Sequence, residues 1–184
     1  MRLFIALDLP ETIESALMEV REALDPDGGH ARWVGRGSMH LTLKFLGEVS
    51  ENRVPEIRRV LERIGCGPVE ARISGIGFFP NDRAGRILWA GIQSERLPAL
   101  AAEVEEAMAG LGFPPESRAF RPHLTLARAS RKGTMGSRWV EAAKTPNEPE
   151  FGSFTARSFF LYRSRLEKRG AVHEKLAEFV FAGK

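Results

Sequence analysis

Two histidines and two threonines recur in a fixed arrangement. His40-Leu41-Thr42-Leu43 and His123-Leu124-Thr125-Leu126 are the same tetrapeptide met twice, and they hold two of the chain's four histidines. Imidazole titrates near neutral pH, so in a facing pair one ring can accept a proton while the other donates one. A hydroxyl beside each ring can donate a hydrogen bond to an oxygen on which negative charge builds. Together these groups meet the needs of in-line phosphodiester cleavage, with a base on the attacking water and an acid on the leaving oxygen. Arg128, close behind the second copy, is a candidate for bidentate phosphate binding.

Either copy alone reads more simply as structure. A lone strand histidine is usually a satisfied surface or core residue, and threonine is a good strand former. The repetition shifts the balance, and so does charge. The net charge is only +3, from 27 Lys+Arg against 24 Asp+Glu. Yet Arg118, Arg121, Arg128, Arg131, Lys132 and Arg138 run without an intervening acid, leaving the rest of the chain richer in acids than bases. A positive field around the second copy suits a phosphate-bearing ligand. Zinc is the rival for paired histidines, but it needs three or four ligands. No cysteine cluster, His-Glu-x-x-His or histidine-rich run supplies them, so neither metal nor cofactor is expected. Glycine-rich phosphate loops and Gly-x-Ser-x-Gly elbows are also missing from the sequence. His30, in a turn, and His173, in the last element, receive no role. Cys66 is read as structural, and a single cysteine fits a reducing cytoplasm. Trp33, Phe45 and Trp89 are core candidates, though an aromatic at the groove could stack on a base.

The positioning elements follow from periodicity. Each tetrapeptide alternates polar and apolar residues, as a half-buried strand does, so His and Thr share one face and two leucines anchor the other. Arg2–Leu9 reads as a strand closed by Pro10, and as a buried strand rather than a signal peptide. Glu11–Leu24 reads as an amphipathic helix, with Asp25–Gly29 a turn and Trp33-Val34 a short strand. His40–Leu46 is a strand, followed by a helix from Glu51 to about Ile64 that Ser50 would cap. Val69–Phe79, broken at Gly75 and Gly77, and Arg86–Ile92 make a hairpin with a basic tip. Glu95–Leu111 is a third helix. Pro122 would start the second His-x-Thr strand. Gly133–Ala143 reads as a short helix, Phe151–Ser164 as one long strand, and Ala171–Phe181, after a turn at Gly170, as either a returning strand or a helix, with its ends strand-like. This order predicts an α+β fold with largely antiparallel sheet. No composition shift marks a linker, so residues 1–184 are expected to form one compact domain of two interlocked lobes. No stretch reaches membrane-span length.

With both tetrapeptides in hand, the chain resembles the two-histidine (2H) phosphoesterases, and within them the RNA 2′,3′-cyclic phosphodiesterases, long called 2′-5′ RNA ligases. The resemblance runs nearly end to end. It rests on Arg2-Leu3-Phe4-Ile5-Ala6-Leu7-Asp8-Leu9-Pro10, on Met39 through Gly47, and on Phe79-Pro80 with Arg86-Ile87-Leu88-Trp89. Phe120 through Arg128 and Leu161-Tyr162-Arg163-Ser164 complete it. The resemblance implies a bilobal fold with a pseudo-twofold axis and an active groove between the lobes. It implies metal-independent hydrolysis of an RNA 2′,3′-cyclic phosphate end, tRNA fragments included, to a 2′-phosphate, with reversible 2′-5′ RNA ligation beside it. Carried over by position, His40 is the proton donor and His123 the proton acceptor. Thr42, Thr125 and Arg128 bind the phosphate, and Phe45 packs on the terminal base. A cytoplasmic monomer is expected. Two alternatives stand beside the enzyme: an RNA- or nucleotide-binding module with little turnover, and the same chemistry on a small cyclic nucleotide or an ADP-ribose cyclic phosphate. Arg83, Arg86 and Arg163 are candidate groove walls. Strict alternation sends Phe45 and Arg128 to the leucine face, so both reach the groove only if each strand ends, twists or bulges after its second leucine.

Overall fold

The computed structural model describes residues 1–25, 31–129, 135, 139, 141, 149–167 and 170–182. His30 and most of the Asp25–Gly29 turn lie outside the described residues, as does the Gly133–Ala143 helix apart from Met135, Trp139 and Glu141.

Two antiparallel sheets share one plan. In the first, β3 (His40–Glu48), β1 (Arg2–Asp8), β8 (Ser158–Glu167) and β9 (Gly170–Val180) lie in that order. In the second, β6 (His123–Ala129), β5 (Ile87–Gln93), β4 (Val69–Phe79) and β7 (Glu150–Ala156) repeat the order, with β2 (Ala31–Trp33) added outside β6. Both His-x-Thr strands thus follow the same strand–helix–strand path. β1 leads through α1 (Glu11–Leu24) to β3, and β5 leads through α3 (Leu97–Ala109) to β6. The halves exchange parts: α1 packs on β7 of the second sheet, and α3 packs on β3 of the first.

The leucine faces explain the core. Leu41 and Leu43 of β3, Leu124 and Leu126 of β6, and Leu3, Ile5 and Leu7 of β1 are all buried in one cluster. Leu17 of α1 and Leu97, Leu100, Val104 and Met108 of α3 join the same cluster, so it is continuous through both sheets. Each buried leucine-sized side chain contributes roughly 1.5–3 kcal/mol relative to exposure.

Several expectations are corrected. Phe151–Ser164 is two strands rather than one, broken at Arg157, and the two belong to different sheets. Aromatic content signalled strand but carried no mark of the crossing. Ser50 makes no side-chain cap. A 3₁₀ turn at Glu51–Arg53 precedes α2 (Val54–Leu61), which takes Pro55 in its first turn, where a missing N–H costs nothing. Gly75 does not break β4. At φ 71° it forms a bulge between Ser74 and Ile76, and pairing with β5 continues on both sides.

Candidate active site

Alternation holds through each tetrapeptide and then slips by one residue. On β3, Thr42 opposes Ala6 and Lys44 opposes Ile5, so Leu43 is passed over. On β6, Thr125 opposes Trp89 and Ala127 opposes Leu88, so Leu126 is passed over at the matching position. Each bulge leaves two consecutive side chains buried, Leu43 with Lys44 and Leu126 with Ala127. The following residue therefore returns to the His/Thr face. That residue is Phe45 in the first copy and Arg128 in the second. Phe45 is 68% exposed, so its reading as a core residue was wrong. Arg128 is exposed as well.

The two imidazoles are tethered alike. His40 Nδ1 donates to the Ser38 carbonyl at 3.0 Å, and His123 Nδ1 donates to the Arg121 carbonyl at 2.7 Å. A carbonyl only accepts, so Nδ1 carries hydrogen in both rings, and Nε2 has no hydrogen-bond partner among the described residues. Aromatic rings back each one. Phe4 lies 4.6 Å from His40, centroid to centroid, and stacks on Tyr162 at 5.0 Å. Phe79 presents an edge contact to His123 at 5.0 Å and packs on Trp89 at 5.3 Å. Phe4, Ala6, Phe160 and Tyr162 form a buried cluster of their own, separate from the main core. Across the other sheet, a Cβ on Gly77 would come within 2.2 Å of the Trp89 ring, so glycine is what lets the indole lie flat there.

Charge and burial set the state of His40. Burial above all, and then the neighbouring His173, hold it at about 4, below its ordinary 6.5. The Ser38 carbonyl and the Asp8 carboxylate pull upward, while Arg128 adds to the depression. The influence of Arg128 links the repeats, because it comes from the second sheet; β3 and β6 lie against each other where the sheets meet. Asp8 opposes His40 in the β1–β3 pairing. Its carboxylate accepts a hydrogen bond from the Tyr162 hydroxyl and is ion-paired with Lys175. Burial, then the hydrogen bond to Asp8, push the Tyr162 phenol well above its ordinary range, so it stays protonated and donates.

His173 is the residue the sequence left without a role. Its ring meets His40 edge-on at 5.0 Å and Phe4 at 5.0 Å. β9 and β3 are separated by two strands, a span of roughly 14 Å at the usual strand spacing, so the sheet must curl to bring the rings together. Burial lowers the proton affinity of His173 too. Its Nδ1 and the Trp89 Nε1 are buried with no hydrogen-bond partner among the described residues. Nothing local in the sequence joins His173 to His40, and the contact exists only through the topology.

The remaining candidates divide. Arg83 and Arg86 are exposed at the β4–β5 tip. Arg163 opposes Leu3 rather than Phe4, so it sits on the face away from His40 and is no groove wall. Arg131, Lys132 and Arg138 lie outside the described residues. A hollow of about 1220 Å³ runs past Gly67, Arg72, Arg96 and Phe154 and includes none of the candidate residues. Open form without a convergent set of reactive groups makes it a poor rival to the histidine pair. Among the described residues, no three His, Cys, Asp or Glu side chains gather where a metal ion could be held.

The family description "LigT like Phosphoesterase" matches residues 7–89 and again residues 91–173. The chain belongs to the LigT-like phosphoesterases. Each matched segment of this LigT-like phosphoesterase contains one His-x-Thr strand, β3 in the first and β6 in the second. The chain is 33% identical over 182 residues to an RNA 2′,3′-cyclic phosphodiesterase of Methanocaldococcus jannaschii, covering 97% of this chain and 100% of that one. It is 35% identical over 196 residues to the protein of the same name from Thermus thermophilus, covering 100% and 91%. Among solved structures it is similar to a Thermus thermophilus protein, with TM-score 0.83, 31% identity and full coverage of both chains. It is also similar to Escherichia coli LigT solved with 3′-AMP, with TM-score 0.79, 29% identity and coverage of 98% and 97%. No described helix is long and apolar enough to cross a membrane.

Proposed function

We propose that this chain is a cytoplasmic RNA 2′,3′-cyclic phosphodiesterase that opens the ring to a 2′-phosphate with its two histidines and no metal. Relatives at 33% and 35% identity over nearly their whole length carry that name. The observation that carries the reading is the matched pair of imidazoles, each fixed through Nδ1 with Nε2 free and a threonine two residues on. Water attacks phosphorus as its proton passes to His123 Nε2. The bond from phosphorus to the 3′ oxygen breaks, and that oxygen takes a proton from His40 Nε2. Thr42 and Thr125 donate to the non-bridging oxygens, Arg128 binds the phosphate through its planar fork, and Phe45 packs on the terminal base. The fold acts as one unit, because the groove takes a wall from each sheet.

The depressed proton affinity of His40 has a place in this scheme. The free protein holds His40 neutral at pH 7, and a proton donor must be charged. An anionic phosphate beside the ring favours the charged form, as Asp8 already does. Substrate therefore brings its own acid into being. With a 5′ hydroxyl in place of water, the same transfers break the bond to the 3′ oxygen and join the phosphate to that hydroxyl, leaving a 2′-5′ bond.

Single variants test the pair. His40→Ala and His123→Ala each lower kcat by at least about 100-fold on an RNA with a 2′,3′-cyclic end, the usual scale of a lost acid or base. Both keep the wild-type circular dichroism spectrum. Near-full activity in either one contradicts a two-histidine mechanism.

A further inference from the structure

Arg128 does not stand alone on its face. Arg32 of β2 is paired directly with it across the antiparallel ladder. Directly opposed residues point to the same face of a sheet. The bulge after Leu126 turns Arg128 toward the His123 and Thr125 side, and its charge is felt at His40. Arg32 therefore presents its guanidinium to that side too. Its neighbour Trp33 turns the other way, where it stacks on Trp139 at 5.5 Å and donates to the Asp25 carboxylate. Arg32 and Arg128 are both exposed, and neither has an ion-pair or hydrogen-bond partner among the described residues.

Like charges directly opposed on a ladder are destabilising. Some exposed arginines elsewhere are matched, as Arg36 is with Glu11, Arg72 with Glu150 and Arg165 with Glu174, but what sets Arg32 and Arg128 apart is that two guanidinium groups without a partner among the described residues are directly opposed. The Arg32–Arg128 pair is left uncompensated beside the groove, the arrangement expected where an anion completes it. β2 is the outer edge of the sheet, so Arg32 lies farther from the histidines than Arg128 does. Adjacent strands are about 4.8 Å apart, and the long arginine stems reach beyond that.

We infer that Arg32, seated beside Arg128, forms a second phosphate subsite, which takes the internucleotide phosphate just upstream of the cyclic end while Arg128 holds the cyclic phosphate itself. The inference rests on the cyclic phosphodiesterase reading for its substrate. It makes the protein prefer an oligonucleotide end over a free cyclic mononucleotide, because only the former has an upstream phosphate. Arg32 is then a specificity-determining residue contributed by the first half of the chain to the second half's strand.

The test compares a nucleoside 2′,3′-cyclic phosphate with a dinucleotide ending in the same group, which adds a single internucleotide phosphate. In Arg32→Ala the ratio of kcat/KM, dinucleotide over mononucleotide, falls about tenfold, the scale of one charge-assisted phosphate contact. Arg32→Gln, which keeps the stem, behaves alike, and Arg59→Ala on α2 leaves the ratio unchanged. An unchanged ratio in Arg32→Ala, including equal loss on both substrates, overturns the inference. Binding supplies a readout independent of turnover. Fluorescence anisotropy with a labelled oligoribonucleotide ending in a 2′-phosphate gives the dependence of log K on log salt. Arg32→Ala reduces that slope by about 0.7, one phosphate contact on a single strand, and an unchanged slope overturns the subsite. If the wild type hydrolyses neither substrate, the activity assigned above fails, while the slope still decides for or against Arg32.

Discussion

At His40 the surroundings decide the protonation state before any ligand arrives. Burial and His173 act together to hold the ring near 4, and Asp8 opposes them only in part. The sign of the linkage follows. A group whose proton affinity rises on binding takes up a proton as the complex forms, at any pH between its free and bound values. We predict that the His40 titration midpoint, read by NMR, starts near 4 and moves up by at least about one unit when a nucleoside 2′-phosphate fills the groove. A midpoint that stays put removes His40 from the phosphate site. A second prediction concerns His173, whose charge contributes downward. His173→Phe keeps a ring against Phe4 and removes the charge, so the free His40 midpoint rises; no movement would mean that burial alone sets it. For Arg128, Arg128→Ala raises KM more than it lowers kcat, since in the proposed reaction the guanidinium binds phosphate without moving a proton. Unchanged kcat and KM exclude it from the site.

Among the elements, the bulge after each second leucine is the decisive device. Periodicity located the two strands and their leucine faces, because alternation is a local property of the chain. It could not tell that Leu43 and Leu126 are passed over in the pairing, which depends on the partner strands β1 and β5. For the same reason it sent Phe45 and Arg128 to the wrong face, and only the requirement for a bulge was legible. The split of Phe151–Ser164 was hidden because both strands share one aromatic-rich composition. The His173 contact was hidden because three strand spacings of sheet curl separate it from any sequence signal. Helix α1 was readable to the residue, from Ile13 and Leu17 on its buried face. One cost of the bulge is a buried lysine. Lys44 Nζ lies 2.5 Å from Glu105 Oε1 and donates to the Pro114 carbonyl at 3.1 Å, tying β3 to α3 and the loop after it. Glu105→Ala leaves that charge unpaired. It lowers unfolding stability by about 2 kcal/mol, below the roughly 3–5 kcal/mol of a fully buried pair because the Glu105 side chain is 28% exposed. Chemical denaturation measures it, and an unchanged midpoint would mean that water reaches Lys44 freely.

For the whole molecule, two copies of one strand–helix–strand plan face each other, and in the proposed reaction each supplies one of the two histidines. The first sheet brings His40, Thr42, Phe45 and the Asp8–Tyr162–Lys175 network; the second brings His123, Thr125 and Arg128. The pseudo-twofold makes the two imidazoles equivalent in tether, while their surroundings make them unequal, and unequal partners are what acid–base chemistry needs. Charge follows the same division, with the basic run on the second half and the acid-rich remainder elsewhere. The most direct test of this account is the product formed from a short RNA ending in a 2′,3′-cyclic phosphate, incubated with the purified protein in EDTA. The account predicts turnover that EDTA does not slow, with the phosphate left on the 2′ oxygen. A 3′-phosphate product, or RNA that binds but is not opened, would contradict it.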